Sequence, residues 1–159
     1  MDLITGGLGF IGNELTRQLL ARGREVVIVD NRRRVAPRIE DLAGVRVLEA
    51  DLTDADATRR AFAGLWPRNV FHLAAIHYIP ECNADPARAL RVNVEATQNV
   101  LDAAIAAGAE HFLTASTGAI YADSPAALTE EASVAPVDIY GWSKVFAENL
   151  ARWRAARGE

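Results

Sequence analysis

Cysteine is almost absent from this chain: Cys82 stands alone among 159 residues. An intrachain disulfide is therefore impossible, and the composition fits a reducing cytoplasm. No motif surrounds Cys82, so it reads as a structural residue rather than a nucleophile. Long apolar runs are missing too; none approaches the ~20 residues of a membrane-spanning helix. The first residues lack the basic-then-apolar order of a signal peptide. Basic charge is not in excess, for the net charge is −4, which argues against nucleic acid as a partner. One arginine run, Arg32-Arg33-Arg34, is too short to alter that. Nor do His, Cys and carboxylate residues fall at metal-ligand spacings. What remains is 50% hydrophobic and 24% charged, the mixture of one globular domain large enough to bury a core.

Apolar runs alternate with helical patterns along the chain. Leu3-Ile4 opens as a very short strand. Phe10 to Arg22 reads as a helix, with Ile11, Leu15, Leu19 and Leu20 on one face and Gly23 ending it. Glu25 to Asp30 has a wholly apolar interior, as in a strand buried on both faces of a parallel sheet. Val45–Leu48 is a third strand. Thr53 or Asp54 caps a helix from Ala55 to Leu65. Asn69–Leu73 is a fourth strand. Pro86 to Ala107 predicts one long helix, with proline in its first turn and Gly108 at its end. His111–Ala115 is a fifth strand, and Ile139 to Ala156 a last helix. Asn31–Asp41 and Tyr121–Val137 are irregular. Strands alternating with helices predict a parallel sheet with right-handed crossovers.

Thr5-Gly6-Gly7-Leu8-Gly9-Phe10-Ile11-Gly12 joins the first strand to the first helix. Glycines 6, 9 and 12 let the backbone turn tightly and approach a pyrophosphate at the helix N-terminus. Their spacing is GxxGxxG rather than GxGxxG. Asp30 ends the second strand, where an acidic residue meets an adenosine ribose. A carboxylate there repels a 2′-phosphate and favours NAD over NADP. Arg32 to Arg34 pull the other way, or simply form a solvated loop. Asp51-Leu52 follows the third strand and offers a carboxylate and an amide to an adenine edge; a helix-start acidic cluster is the plainer reading. His72-Leu73-Ala74-Ala75 closes the fourth strand with small residues beside the cofactor path, and His72 reads as a satisfied buried imidazole. Ser116-Thr117 follows the fifth strand, where ligand loops gather in open α/β sheets. Tyr140 and Lys144 are four apart on a helix, so they share a face. An ammonium beside a phenol favours the phenolate, a usable general base near neutral pH. Taken alone, the same spacing fits an ordinary solvated helix face.

Together these segments resemble the extended short-chain dehydrogenase/reductases, specifically the NAD-dependent nucleotide-sugar epimerases and dehydratases. The matching pieces are TGGLGFIG at 5–12, VDN at 29–31, DLTD at 51–54, HLAA at 72–75, NVEATQNVL at 93–101, ASTGAIY at 115–121 and YGWSK at 140–144. They cover Leu3 to Arg152. The resemblance implies a Rossmann-like doubly wound α/β domain over residues 1–159, with about five strands in the order 3-2-1-4-5. It implies that Gly6, Gly9, Phe10, Ile11 and Gly12 cradle the pyrophosphate of NAD. Asp30 and Asn31 would hold the ribose, Asp51 and Leu52 the adenine, and Ala74 and Ala75 the cofactor's flank. His77 stands where many members place a lysine near the nicotinamide. Asn93 matches a helix asparagine that bonds back to the sheet. Thr117 matches the catalytic Ser/Thr, Tyr140 the base, and Lys144 its tuner and ribose ligand.

The implied activity is NAD-dependent 4-epimerisation of a nucleotide-sugar, with hydride removed and returned. Dehydratases carry Asp-Glu just after the Ser/Thr. Here those positions are Gly118 and Ala119, which disfavours elimination of water. Tyr121-Ala122 replaces the usual Tyr-Gly. Family members are roughly twice this long, so the expectation is a truncated or split N-terminal part that lacks the C-terminal sugar-nucleotide domain. A homodimer through a helix bundle built from 86–107 and 139–156 is expected, or a second chain supplying the remainder. A non-catalytic dinucleotide-binding module and a short-chain reductase are the alternatives.

Overall fold

The computed structural model describes residues 1–33, 42 and 44–158. Arg34 and much of the irregular stretch to Asp41 lie outside them. Five parallel strands form one sheet in the order β3-β2-β1-β4-β5. They are β1 Asp2–Thr5, β2 Val26–Asp30, β3 Arg46–Glu49, β4 Asn69–His72 and β5 His111–Thr114. This is the Rossmann-like order expected from the resemblance.

Period-2 alternation sends neighbouring strand residues to opposite faces. Leu3, Val27, Val29 and Val70 share one core with Phe62, Val100 and Ala104. Ile4, Ile28 and Val26 share the other with Leu8, against which Leu15 and Leu19 pack. Both faces of the central strands are therefore covered, which explains why β2 has no polar residue before Asp30.

The helices are α1 Phe10–Ala21, α2 Ala55–Phe62, α3 Ile79–Ala84, α4 Pro86–Leu90, α5 Ala96–Ala106 and α6 Ile139–Ala156. Asp54 caps α2 by accepting from the amides of Asp56 and Ala57. Asp138 caps α6 by accepting from Gly141 N at 2.8 Å. The single helix expected over 86–107 is not uniform: a π turn, Arg91–Glu95, separates α4 from α5. That turn carries the buried Asn93. The Asn93 side chain accepts from Ile76 N at 2.8 Å and donates to Ile76 O at 2.9 Å. The exit of β4 is thereby stapled to the helix, and π turns often mark such sites. Helix α3 has no counterpart in the sequence reading. Its six residues are too few for a 3.6-residue period to show. Among the described residues, no helix is long and apolar enough to cross a membrane.

Candidate active site

The C-terminal ends of the strands open into one cavity of about 780 Å³. It is lined by Gly6, Gly9, Phe10, Ile11, Gly12, Asp30, Asn31, Asp51, Leu52, Ala74, Ala75, His77, Tyr140 and Lys144. Residues from both ends of the chain thus meet, because β1 is central and α6 packs beside the π turn and α3.

The glycine loop is shaped by contact. A Cβ on Gly6 would lie 2.6 Å from Ala74 N, and Gly6 has φ of 71°. A Cβ on Gly12 would overlap Gly6 O and stand 2.6 Å from Gly7 Cα. Bare backbone at these two positions brings loop, helix start and β4 exit together, leaving the α1 N-terminus open to the cavity. Such a terminus favours an anion. Asp30 fixes the loop from the neighbouring strand. Its carboxylate accepts from Leu8 N at 3.2 Å and from Arg32 N at 2.8 Å. Asp51 accepts from the Thr53 hydroxyl at 2.7 Å and faces Arg33 at 3.3 Å. The Thr53 hydroxyl, more than the arginine, holds its carboxyl below the usual carboxylate range.

Lys144 is the only lysine in the sequence. It is 4% exposed. Burial pushes its ammonium below the usual lysine range, and the charge of Glu148 opposes that shift. Tyr140 lies one turn earlier on the same face of α6. The Asn93 amide donates to Ser143 Oγ at 3.0 Å, and Ser143 donates to Tyr140 O at 2.7 Å. The π turn therefore ties the β4 exit to the first turn of α6. Gly141 brings that turn close to another loop: a Cβ there would meet Ala119 O at 2.5 Å and Pro136 Cβ at 2.9 Å. Gly141→Ala is expected to cost about 1–3 kcal/mol by forcing α6 away. Urea unfolding of the variant checks this; Gly118→Ala, with nothing near its Cβ, is the neutral control.

His72 lies beneath the site, fully buried between two hydroxyls. Thr97 Oγ1 gives its one proton to Asn93 O at 2.8 Å. The imidazole must therefore donate from Nε2 to Thr97 Oγ1 at 2.9 Å. Its Nδ1 then accepts the Thr5 hydroxyl proton at 2.6 Å. Burial first, and the Lys144 charge second, hold its pKa down to about 3. This is the satisfied core histidine that the sequence led us to expect.

Thr117 is the one expected site residue absent from the cavity lining. Its backbone is extended, and its hydroxyl accepts from Ala119 N at 3.2 Å, capping the short 3-10 turn Gly118–Ile120. Ser116, one residue earlier, does line the cavity. The Ser116 hydroxyl donates to Glu148, so its proton is committed, whereas Thr117 keeps its own. Sequence reasoning missed Glu81, Arg88 and Arg91 in the lining. Arg88 pairs with Glu81 at 2.8 Å. Their signal was present, since a proline-started helix after β4 with arginines three apart presents both on one side. No cluster of three or more His, Cys, Asp or Glu that could hold a metal occurs among the described residues.

Residues 3–159 match the NAD dependent epimerase/dehydratase family. The chain belongs to that family. A UDP-glucose 4-epimerase of Klebsiella pneumoniae is 35% identical over 129 residues, 77% of this chain and 93% of that relative. A UDP-glucose 4-epimerase of Erwinia amylovora is 32% identical over 158 residues, 94% of this chain but 47% of the relative. Among solved structures, the Thermus thermophilus UDP-glucose 4-epimerase in complex with NAD superposes with a TM-score of 0.89 at 34% identity. That match covers 99% of this chain and 51% of the Thermus chain. The chain thus spans about half the length of the latter two.

Proposed function

We propose that this chain is the dinucleotide-binding, base-supplying half of an NAD-dependent nucleotide-sugar 4-epimerase. One observation carries the reading: the glycine loop, Asp30 and the Tyr140–Lys144 pair line a single cavity. NAD fits this cavity because bare backbone at Gly6 and Gly12 lets the loop, the start of α1 and the β4 exit close together, which sets a helix N-terminus suited to a pyrophosphate on the cavity wall. Gly6, Gly9, Gly12, Phe10 and Ile11 would hold its pyrophosphate, and Asp30 with Asn31 its adenosine ribose. Asp51 and Leu52 would meet the adenine, Ala74, Ala75 and His77 would flank the nicotinamide half, and Lys144 would bind the second ribose. When bound, NAD supplies the hydride acceptor and donor.

The chain's own groups handle the proton. Tyr140 takes it from the sugar hydroxyl, with the Lys144 ammonium one turn away on the same face of α6. Thr117 lies outside the cavity lining, but its proton is uncommitted, and its hydroxyl would donate toward the oxygen as charge develops there once the side chain turns inward. Gly118 and Ala119 offer neither the acid nor the base that dehydration requires. The similarity to UDP-glucose 4-epimerases makes a UDP-sugar the first substrate to test.

The resemblance implies that the sugar-nucleotide is gripped by a C-terminal domain, and this chain spans about half the length of the Erwinia and Thermus relatives. We take residues 1–159 as the cofactor domain and a second copy as a partner. Trp142, Phe146 and Trp153, between 45% and 52% exposed on α6, support a helix-bundle contact. The test is UDP-glucose to UDP-galactose conversion by this chain with NAD⁺, alone and with a polypeptide supplying the C-terminal half. Tyr140→Phe is expected to lower that rate by about 10²–10⁴-fold while NAD⁺ affinity changes little. An unchanged rate removes Tyr140 as the base.

A further inference from the structure

Three side chains on one face of α6 follow each other at four-residue spacing: Tyr140, Lys144 and Glu148. The first two line the cavity. Glu148 lies one turn further and is largely covered, 16% exposed. One of its oxygens accepts from the Ser116 hydroxyl, and the other pairs with the exposed Arg152 at 2.9 Å. Ser116 sits where β5 gives way to Thr117, so this carboxylate bridges the two elements that carry the expected chemistry.

We propose that Glu148 is a positioning residue of this site, which pins the Ser116–Thr117 segment to α6 and supplies the anion that sustains the Lys144 ammonium. Without the first effect the segment bearing the Thr117 donor has no side-chain tie to the helix bearing Tyr140 among the described hydrogen bonds. The second follows from placement. Lys144 is buried, and burial disfavours its charge. The groups that bear on it are Glu148 and Tyr140 from α6 and His72 from β4, with Arg152 beyond Glu148. His72 stays neutral through the physiological range, which leaves Glu148 as the nearby anion. The role in catalysis rests on the epimerase-half reading, but the two physical effects do not.

The sequence provides the means to measure the second effect. With a single lysine, a chain carrying ζ-¹⁵N-lysine gives one side-chain resonance, and its titration reports Lys144 alone. Glu148→Gln keeps an acceptor for Ser116 and removes the charge, so the Lys144 midpoint is expected to fall while amide exchange at Ala119 and Ile120 is unchanged. Ser116→Ala, at an exposed position, is expected to do the converse: faster exchange at Ala119 and Ile120, whose amides bond to Thr117, the lysine midpoint unmoved. A midpoint unchanged by E148Q, or exchange unchanged by S116A, overturns the proposal. Should E148Q lose its fold, the S116A exchange still decides the clamp. Calorimetry with NAD⁺ on the unsubstituted chain separates the readings. Failure to bind removes the cofactor function and leaves both NMR outcomes standing.

Discussion

Gly12→Ala is expected to weaken NAD⁺ binding by about tenfold to a hundredfold and to lower stability by about 1–3 kcal/mol. The added Cβ would overlap Gly6 O and press on Gly7 Cα. Neither neighbour is a flexible side chain, so relief requires the loop and the first turn of α1 to separate. That separation moves the amides at the helix N-terminus, the groups that would meet the pyrophosphate. Gly9→Ala is the internal comparison. Its Cβ would meet only Gly6 O, at 3.2 Å, so a small shift accommodates it and both losses are expected to be milder. Calorimetric titration and urea unfolding of the two variants measure these effects side by side. Equal losses in both would contradict the steric account.

Stability is expected to fall steadily as pH drops below about 6.5, through His72. The folded state keeps this imidazole neutral, with a pKa of about 3, whereas an unfolded histidine protonates near 6.5. Between those values the unfolded chain binds the extra proton, so stability rises with pH and is lost on acidification. The slope is about 1.4 kcal/mol per pH unit, or about 2 kcal/mol between pH 6.5 and pH 5. Asp51 contributes in the same direction but at lower pH. Its folded carboxyl is held low, so its contribution is present above the unfolded value near 3.9 and disappears only below it. The Lys144 shift acts just below the ordinary lysine value. The window from about 5 to 6.5 therefore isolates His72. His72→Gln is expected to cost stability at pH 7, because two buried threonine hydroxyls lose a matched partner, yet to flatten the slope in that window. An unchanged slope would show that another group governs acid unfolding.

The strands and much of the cavity lining were legible in the sequence because each rests on local pattern. β2 is a run of β-branched residues, and its burial on both faces follows from composition alone. Gly6, Gly12, Asp30, Tyr140 and Lys144 stand at spacings that a strand–turn–helix geometry requires. The π turn was not legible. Residues 86–107 hold no glycine and no proline after Pro86 to break a helix, and the widening falls where Asn93 bonds the Ile76 backbone across the fold. Helix α3 was hidden by its shortness. The facing of Ser116 and Thr117 was also hidden. Adjacent residues in an extended segment point opposite ways, and the partner of the Ser116 hydroxyl is Glu148, thirty-two positions away.

The most direct test of the account is titration calorimetry of the chain with NAD⁺ and NADP⁺. Asp30 turns a buried carboxylate, 7% exposed, toward the cavity that would receive the adenosine ribose. A 2′-phosphate there would meet that charge. Saturable binding of one NAD⁺ per chain is expected, with NADP⁺ weaker by about tenfold or more. Absence of NAD⁺ binding, or tighter binding of NADP⁺, would contradict it.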